Sequence, residues 1–239
     1  MLVSACAGSG SANANREKST AYITMPDKSA LLQPVLLSSN FAATHVQLSI
    51  NTGSTYQEMD GFGFTLTGGS ALHISKMSSE ARAKLLKEIF GNGPEGIGVS
   101  FIRISVGASD LDELLFSYND LPAGQTDPNI EKFDLGYDKK YLIPVLKQIL
   151  AINPNIKLLA SPWSPPVWMK DNGDTRGGSL KPEYYPSYAK YLVKYIEEMK
   201  KQGINIYALT IQNEPLHPGN NPSLLMPADA QKVFVRDHL

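Results

Sequence analysis

The sequence predicts an α/β fold, the first half of a (β/α)8 barrel, with strands of a small β-domain ahead of it. Three observations carry this. From Glu58 to Leu239 a strand, loop, helix pattern repeats four times, at about 45 residues per unit, where a closed barrel needs eight such units. The strands are short continuous apolar runs, as in a parallel sheet covered on both faces. Before Glu58 helical periodicity is absent, so residues 20–57 read as strands of a side domain and residues 58–239 as the barrel half. Four units could also form an open doubly wound sheet, and the pattern alone does not decide between the two.

In the side domain the runs are Tyr22-Ile23-Thr24 and the strictly alternating Val46-Gln47-Leu48-Ser49-Ile50. The first barrel unit is Met59 to Thr67, a Gly68-Gly69 loop, and a helix with Ser78 as N-cap, an apolar face of Leu85, Leu86, Ile89 and Phe90, and Gly91 as its stop. The second is Val99 to Val106, a long loop from Gly107 to Gly136, and a helix carrying Tyr141, Leu142, Val145, Leu146 and Ile149. Pro144 lies inside that pattern, which predicts a kink or a late helix start. The third is Ile156 to Ala160, running into Ser161-Pro162-Trp163-Ser164-Pro165-Pro166-Val167-Trp168, then a helix with Tyr184, Tyr188, Tyr191, Tyr195 and Met199 on one face, closed by Gly203. Helical spacing alone predicts burial of that aromatic stripe, so it is read as packing and not as a cofactor box. The fourth is Asn205 to Ile211, expected to be buried on both faces and ending in Gln212-Asn213-Glu214-Pro215. Pro215, without an N–H, stops its ladder. A helix after Pro227 follows.

Composition narrows the classes. With 42% hydrophobic residues in 239, the chain can build one sizeable domain or two small ones. A net charge of -1 and the absence of a Lys/Arg run argue against a nucleic-acid surface. No apolar stretch reaches the roughly 20 residues of a membrane-spanning helix. His45, His73, His217 and His238 show no metal-ligand spacing, and with one cysteine there is no zinc pattern, so neither metal nor cofactor is expected. That cysteine, Cys6, follows Val3-Ser4-Ala5 in a sequence resembling a bacterial lipobox, with a Gly/Ser/Ala/Asn tract behind it as a tether in residues 1–19. The basic start and apolar core of a signal peptide do not precede it. Either the signal lies upstream of Met1, making this a secreted, periplasmic or outer-membrane lipoprotein of a bacterium anchored only through Cys6, or the match is chance in a leader segment.

If the strands are parallel neighbours, their carboxyl ends converge on one rim. There they would present Thr65 and Thr67; Arg103, Ser105 and Asp110; Ser161, Trp163 and Trp168; and Asn213 with Glu214. Indole faces for C–H groups and Asp, Asn and Arg for hydroxyls suit a sugar. Arg103, within a buried strand, requires a charge partner. Either tryptophan could instead simply anchor its proline-rich loop.

Gly61-Phe62-Gly63, Phe101-Ile102-Arg103-Ile104 with Ser109-Asp110, Ser161-Pro162-Trp163 within its proline-rich run, and Thr210 to Pro215 together resemble the family 30 glycoside hydrolases, which include glucosylceramidases and β-1,6-glucanases. The similarity runs from about Gly61 to Leu239. It implies a (β/α)8 TIM barrel with a β-sandwich side domain, and a retaining hydrolase of β-glucosides or glucans. Glu214 would be the general acid/base, expected in a buried position, and Asn213 the neighbour that binds the 2-hydroxyl. Asp110 and Trp163 would hold the glucosyl unit, and Arg103 would brace the carboxylates. Glucosylceramidases of the family tend to carry an Asp after the first strand's Thr, where this chain has Gly68-Gly69, which leaves the aglycone or outer sugar contacts open and a glucanase possible. Retaining hydrolysis needs a second carboxylate about 5–5.5 Å away. The resemblance places it on the seventh strand, past the fourth with which this chain ends, so the chain alone is expected to be inactive; Asp60, Asp171, Asp174 and Glu183 are not nominated in its place. Two other classes are a non-catalytic carbohydrate-binding barrel and a nucleotide-binding domain using Gly61 to Gly69 as a phosphate loop. For the latter, GxGxxG has Leu66 at its third glycine.

Overall fold

The computed structural model describes residues 20–36 and 51–239. The leader with Cys6, and the run Val46 to Ile50, lie outside the described residues. The chain divides between Gln57 and Glu58 into two units. In the first, β1 (Thr20–Ile23) pairs antiparallel with β2 (Gln33–Leu36), Tyr22 opposite Pro34. β2 has no counterpart in the sequence reading because Pro34 argues against a strand; with no N–H to give, it fits only the edge position that a two-stranded sheet offers.

In the second unit β3 (Gly63–Thr65), β4 (Phe101–Val106), β5 (Lys157–Pro162) and β6 (Ala208–Leu209) form one parallel sheet in the order β3-β4-β5-β6. Each new strand adds on the same side, as in a barrel wall. A doubly wound sheet reverses order at its switch point, so the open-sheet alternative does not apply. Gly63 permits the β3–β4 pairing, since a Cβ there would lie 1.4 Å from the Phe101 carbonyl oxygen.

The sheet has two unlike faces. Ile102, Ile104, Val106, Leu158 and Ala160 are buried in one core with the helices α2 (Ser79–Phe90), α3 (Leu142–Ile152) and α4 (Tyr185–Lys201). The alternate positions, Phe101, Arg103, Lys157 and Leu159, are half-buried, and nearer the carboxyl ends this face turns to Ser105 and Ser161. The expected fourth strand is much shorter than Asn205 to Ile211: only Ala208 and Leu209 pair regularly, both half-buried. β6 is the last strand of the sheet, so it has a partner on one side only. Backbone bonds nevertheless extend its line, from Tyr207 N–H to the Leu158 oxygen and from Asn213 N–H to the Pro162 oxygen.

The helices follow their signals, with one addition. Ser78 caps α2 by accepting the Ala81 amide, and Gly91 ends it. Pro144 is the third residue of α3, inside the first turn where its missing N–H has no intrahelical role, so the late start is realised without a kink. Gly68 and Gly69 do not form a loop. They open α1 (Gly68–Lys76), whose N-cap Thr67 accepts the Ser70 amide. The glycines masked this helix because their propensity opposes it. A last helix, α5 (Ala228–Asp237), buries Phe234.

The tyrosine stripe packs, as its spacing implied. Tyr188, Tyr191, Tyr195 and Met199 are fully buried, and Tyr118 from the long loop stacks on Tyr195 with ring centroids 5.5 Å apart. The Tyr118 hydroxyl donates to Asp138 Oδ2 at 2.5 Å. Burial, with the charge of Asp112 adding to it, pushes the Asp138 carboxyl up to about 7 despite that bond. Below pH 4 Asp138 is protonated in both folded and unfolded chains; between about 4 and 7 the folded chain alone keeps its proton, so its contribution to stability falls as pH rises through that window. Urea titrations at a series of pH values should show Asp138→Asn losing this fall between pH 4 and 7, because the amide mimics the protonated acid at every pH.

Candidate active site

Two of the side chains expected at the strand ends, Ser161 and Asn213, are joined by the guanidinium of a third, Arg103. Arg103 Nη2 donates to Ser161 Oγ at 2.8 Å and to Asn213 Oδ1 at 2.5 Å, so a β4 residue grips β5 and the end of β6 at once. Thr210 Oγ1 donates to the same Ser161 hydroxyl at 2.6 Å. Because Arg can only donate, it fixes which way the Asn213 amide faces: Oδ1 toward the guanidinium, Nδ2 outward and able to donate to a hydroxyl. The expected charge partner of Arg103 is absent: among the described residues it forms no ion pair. Arg103 is only half-buried, which makes neutral partners sufficient. Burial lowers its pKa, and the Glu214 carboxylate, close enough to be felt, raises it.

Glu214 is exposed, not buried as expected, because it lies beyond the two-residue edge strand, with no further strand beside it among the described residues. Its backbone has φ +41°, a conformation costing a non-glycine residue about 1–3 kcal/mol and often found at functional sites. The turn is locked on both sides: the Glu214 carbonyl accepts the His217 amide, and Glu214 Oε2 accepts Asn220 Nδ2 at 2.6 Å.

Trp163 is buried, and its indole N–H has no partner. The Tyr188 and Tyr195 hydroxyls inside the core are unmatched in the same way, so the orphaned N–H is not by itself the mark of a ligand position. Gln212, which the sequence reading passed over, holds the backbones on either side: its Nε2 donates to the carbonyls of Trp163 at 2.7 Å and Asn213 at 3.0 Å. Arg103, Asn213 and Trp163 are thus linked into one constellation, with Glu214 next in the chain.

Asp110 and Trp168 are not drawn into it by hydrogen bonds. Asp110 is exposed on the loop after β4. Trp168 gives its N–H to the Asn119 carbonyl and Oδ1, and meets Tyr184 edge-on at 5.0 Å, which anchors it to the loop wall. The more embedded carboxylate near Asp110 is Asp112, whose Oδ2 accepts the Ser109 amide and hydroxyl. Burial raises its pKa. A Cβ at Gly68 would lie 1.7 Å from Asp112 Oδ1, so that carboxylate already fills the space at the start of α1. This removes the phosphate-loop reading, since the helix N-terminus that would receive an anion already faces one. Asp60 belongs to the opposite end of the sheet, paired with Lys157, the first residue of β5.

A buried lysine ties the rim loops together. Lys170 Nζ donates to Ser164 Oγ, the Thr175 carbonyl and the Ser223 carbonyl, and burial lowers its pKa to about 8 although Asp174 and Asp171 oppose the shift. Nothing in the sequence distinguishes this lysine from a solvated one. Nor does it mark Asn220, six residues past Glu214.

The glycosyl hydrolase family 30 TIM-barrel domain matches residues 59–239. The chain belongs to glycosyl hydrolase family 30. Among its family 30 relatives, the endo-1,6-beta-D-glucanase BGN16.3 of Trichoderma harzianum is 34% identical over 208 residues, covering 80% of this chain and 42% of that protein. The lysosomal acid glucosylceramidase of Mus musculus is 32% identical over 186 residues, covering 75% and 35%. The solved structure of the endo-beta1,6-glucanase BT3312 superposes with a TM-score of 0.79 at 38% identity, over 92% of this chain and 48% of that one. SrfJ from Salmonella typhimurium gives 0.77 at 28% identity, over 91% and 48%. The chain therefore spans less than half the length of these relatives, and its four-stranded sheet is part of a TIM-barrel wall.

Replacing Lys170 by Met leaves three acceptors without their donor, and urea denaturation should register a loss of at least about 1–3 kcal/mol. Limited proteolysis of the same variant should cut first within the loops at 170–178 and 218–223.

Proposed function

We propose that this protein is a retaining hydrolase of β-glucosidic bonds in which Glu214 is the general acid/base. The observation that carries the reading is the Arg103–Asn213 clamp, with Glu214 held by Asn220 at the end of the same strand line. In this reading Trp163 supports the sugar, and Asn213 Nδ2 donates to the 2-hydroxyl. Arg103 positions Asn213, Asp110 accepts a hydroxyl from the open side, and Trp168 holds the loop that carries Trp163. Glu214 protonates the departing glycosidic oxygen and then takes a proton from the attacking water, a role typically worth about 10²–10⁴ in rate. Support for a glucosyl substrate comes from the relatives, which are named as 1,6-β-glucanases and a glucosylceramidase.

The nucleophile, about 5–5.5 Å from the acid/base in retaining enzymes, is proposed to come from outside residues 1–239. Asp171 and Asp174 accept backbone amides within their own loop, from Ser179 and from Arg176, and Asp60 lies at the wrong end of the sheet. We further propose a lipid anchor at Cys6 and with it a bacterial envelope location, from the lipobox-like Val3-Ser4-Ala5-Cys6.

Two assays test this. The chain alone should not turn over an aryl β-glucoside; turnover that Glu214→Gln abolishes would place the nucleophile within residues 1–239 after all. Joined to the remaining barrel strands of the Trichoderma glucanase, the chain should gain turnover, and Glu214→Gln should reduce it by about 10²–10⁴. A folded chimera, verified by circular dichroism, that stays inactive would sink the hydrolase assignment.

A further inference from the structure

A carboxyl group that gives a proton at one stage and takes one at the next has two oxygens to do it with, and an exposed side chain ordinarily exchanges them by rotating about its last bond. At Glu214 the two oxygens are not equivalent. Oε2 accepts Asn220 Nδ2 at 2.6 Å, and among the described residues no other side chain hydrogen-bonds this carboxylate. Bonds to an ionised acceptor are the short, strong ones.

Asn220 is more than a passing surface contact. It is half-buried, and its backbone is fixed against the loop after β5, not against the strand that leads to Glu214. The Ser223 hydroxyl donates to the Asn220 carbonyl at 2.6 Å, shared with the Pro218 carbonyl at 3.0 Å, and accepts the Gly177 amide at 2.8 Å. Ser223 is itself held at both ends of its peptide, its amide giving to the Thr175 carbonyl and its carbonyl taking the buried Lys170 ammonium at 2.8 Å. On the other flank Asn221 accepts the Thr175 hydroxyl at 2.7 Å. The donor therefore reaches Glu214 from a platform set independently of β6.

The direction of that bond decides where a proton sits. In a protonated carboxyl the carbonyl oxygen accepts well and the hydroxyl oxygen poorly, so the Asn220 bond keeps its strength only when the proton is on Oε1. In the ionised carboxylate Oε2 accepts as before. A neutral amide donor suits both states without moving.

We infer that Asn220 is a positioning residue for the proton transfer: it reserves Oε2 for itself and leaves Oε1 as the oxygen that gives and retakes the proton. The inference rests on the hydrolase reading for the role of Glu214, and adds which atom acts and which residue selects it. As the bond between the anomeric carbon and the glycosidic oxygen breaks, its electron pair stays on that oxygen and the Oε1 proton joins it. When water attacks, its proton returns to Oε1 and its oxygen stays on the sugar.

Two measurements test this. In the ¹³C,¹⁵N-labelled chain, lowering the pH until the Glu214 carboxyl carbon signal reports protonation should leave the Asn220 Nδ2 proton shifted downfield and slow to exchange. A carboxamide that turns over at that point, offering Oδ1 to a hydroxyl on Oε2, overturns the proposal and has no bearing on hydrolysis. In the chimera with the Trichoderma glucanase strands, Asn220→Ala should lower kcat/KM about tenfold or more for phenyl β-glucoside, whose leaving group needs the proton, and less than about twofold for 2,4-dinitrophenyl β-glucoside, which departs without one. Equal losses on both make Asn220 a merely structural residue, and the hydrolase reading stands. No turnover of either glucoside by the folded, unaltered chimera removes the hydrolase reading and the positioning role with it. If Asn220→Ala does not fold, the proton-site measurement on the unaltered chain decides.

Discussion

The arrangement of the rim depends on a single cation reaching across three strands. Arg103 springs from the middle of β4, yet its hydrogen bonds go to β5 and to the chain beyond β6. The pairing of β6 with β5 is only two residues long, too little by itself to fix where Asn213 points. The guanidinium supplies the missing constraint. It is planar, charged at any accessible pH and purely a donor, so the amide it holds cannot flip without losing the contact. Gln212 secures the neighbouring backbone in the same way, one amide bridging the carbonyls of Trp163 and Asn213.

Around this clamp the loops are bound by polar contacts more than by hydrophobic ones. The segment 218–223 is tied to 170–178 by the Lys170 ammonium, by Ser223 and by Thr175. The backbone is strained where the chain leaves the sheet, as it also is at Ile130 in the long loop: Glu214 sits in the left-handed region, and the bond from Asn220 returns from the tied loop to hold its carboxylate. The rigid part of the rim thus lies on the β5 side and the unusual backbone on the β6 side. A carboxylate that must swing little and still face outward is served by that division.

Much of this was legible in the sequence because it rests on periodicity and punctuation. The repeat of units, the cap at Ser78, the stop at Gly91 and the buried tyrosines all follow from patterns of one or two turns. The combination of Arg103, Trp163, Asn213 and Glu214 carried the family. What escaped has physical causes. The first helix was hidden by two glycines, which oppose helix formation but are needed for close approach. The fourth strand was overestimated because apolar β-branched residues describe a tendency, whereas the length of a strand is set by how far its neighbour stays in register, here two residues of β5. Lys170 acts through a contact between loops 53 residues apart in sequence, and no local spacing announces it; Asn220 meets Glu214 across a turn whose shape is not written in the residues between them.

The contact between Gly68 and Asp112 ties two distant positions together. The oxygen of Asp112 occupies the volume into which a side chain at position 68 would grow, and the Ser109 amide and hydroxyl hold that carboxylate in place. A residue larger than glycine there has to turn the carboxylate away from both donors, so the first turn of α1 and the loop after β4 share one small volume and neither can be refilled without the other giving way.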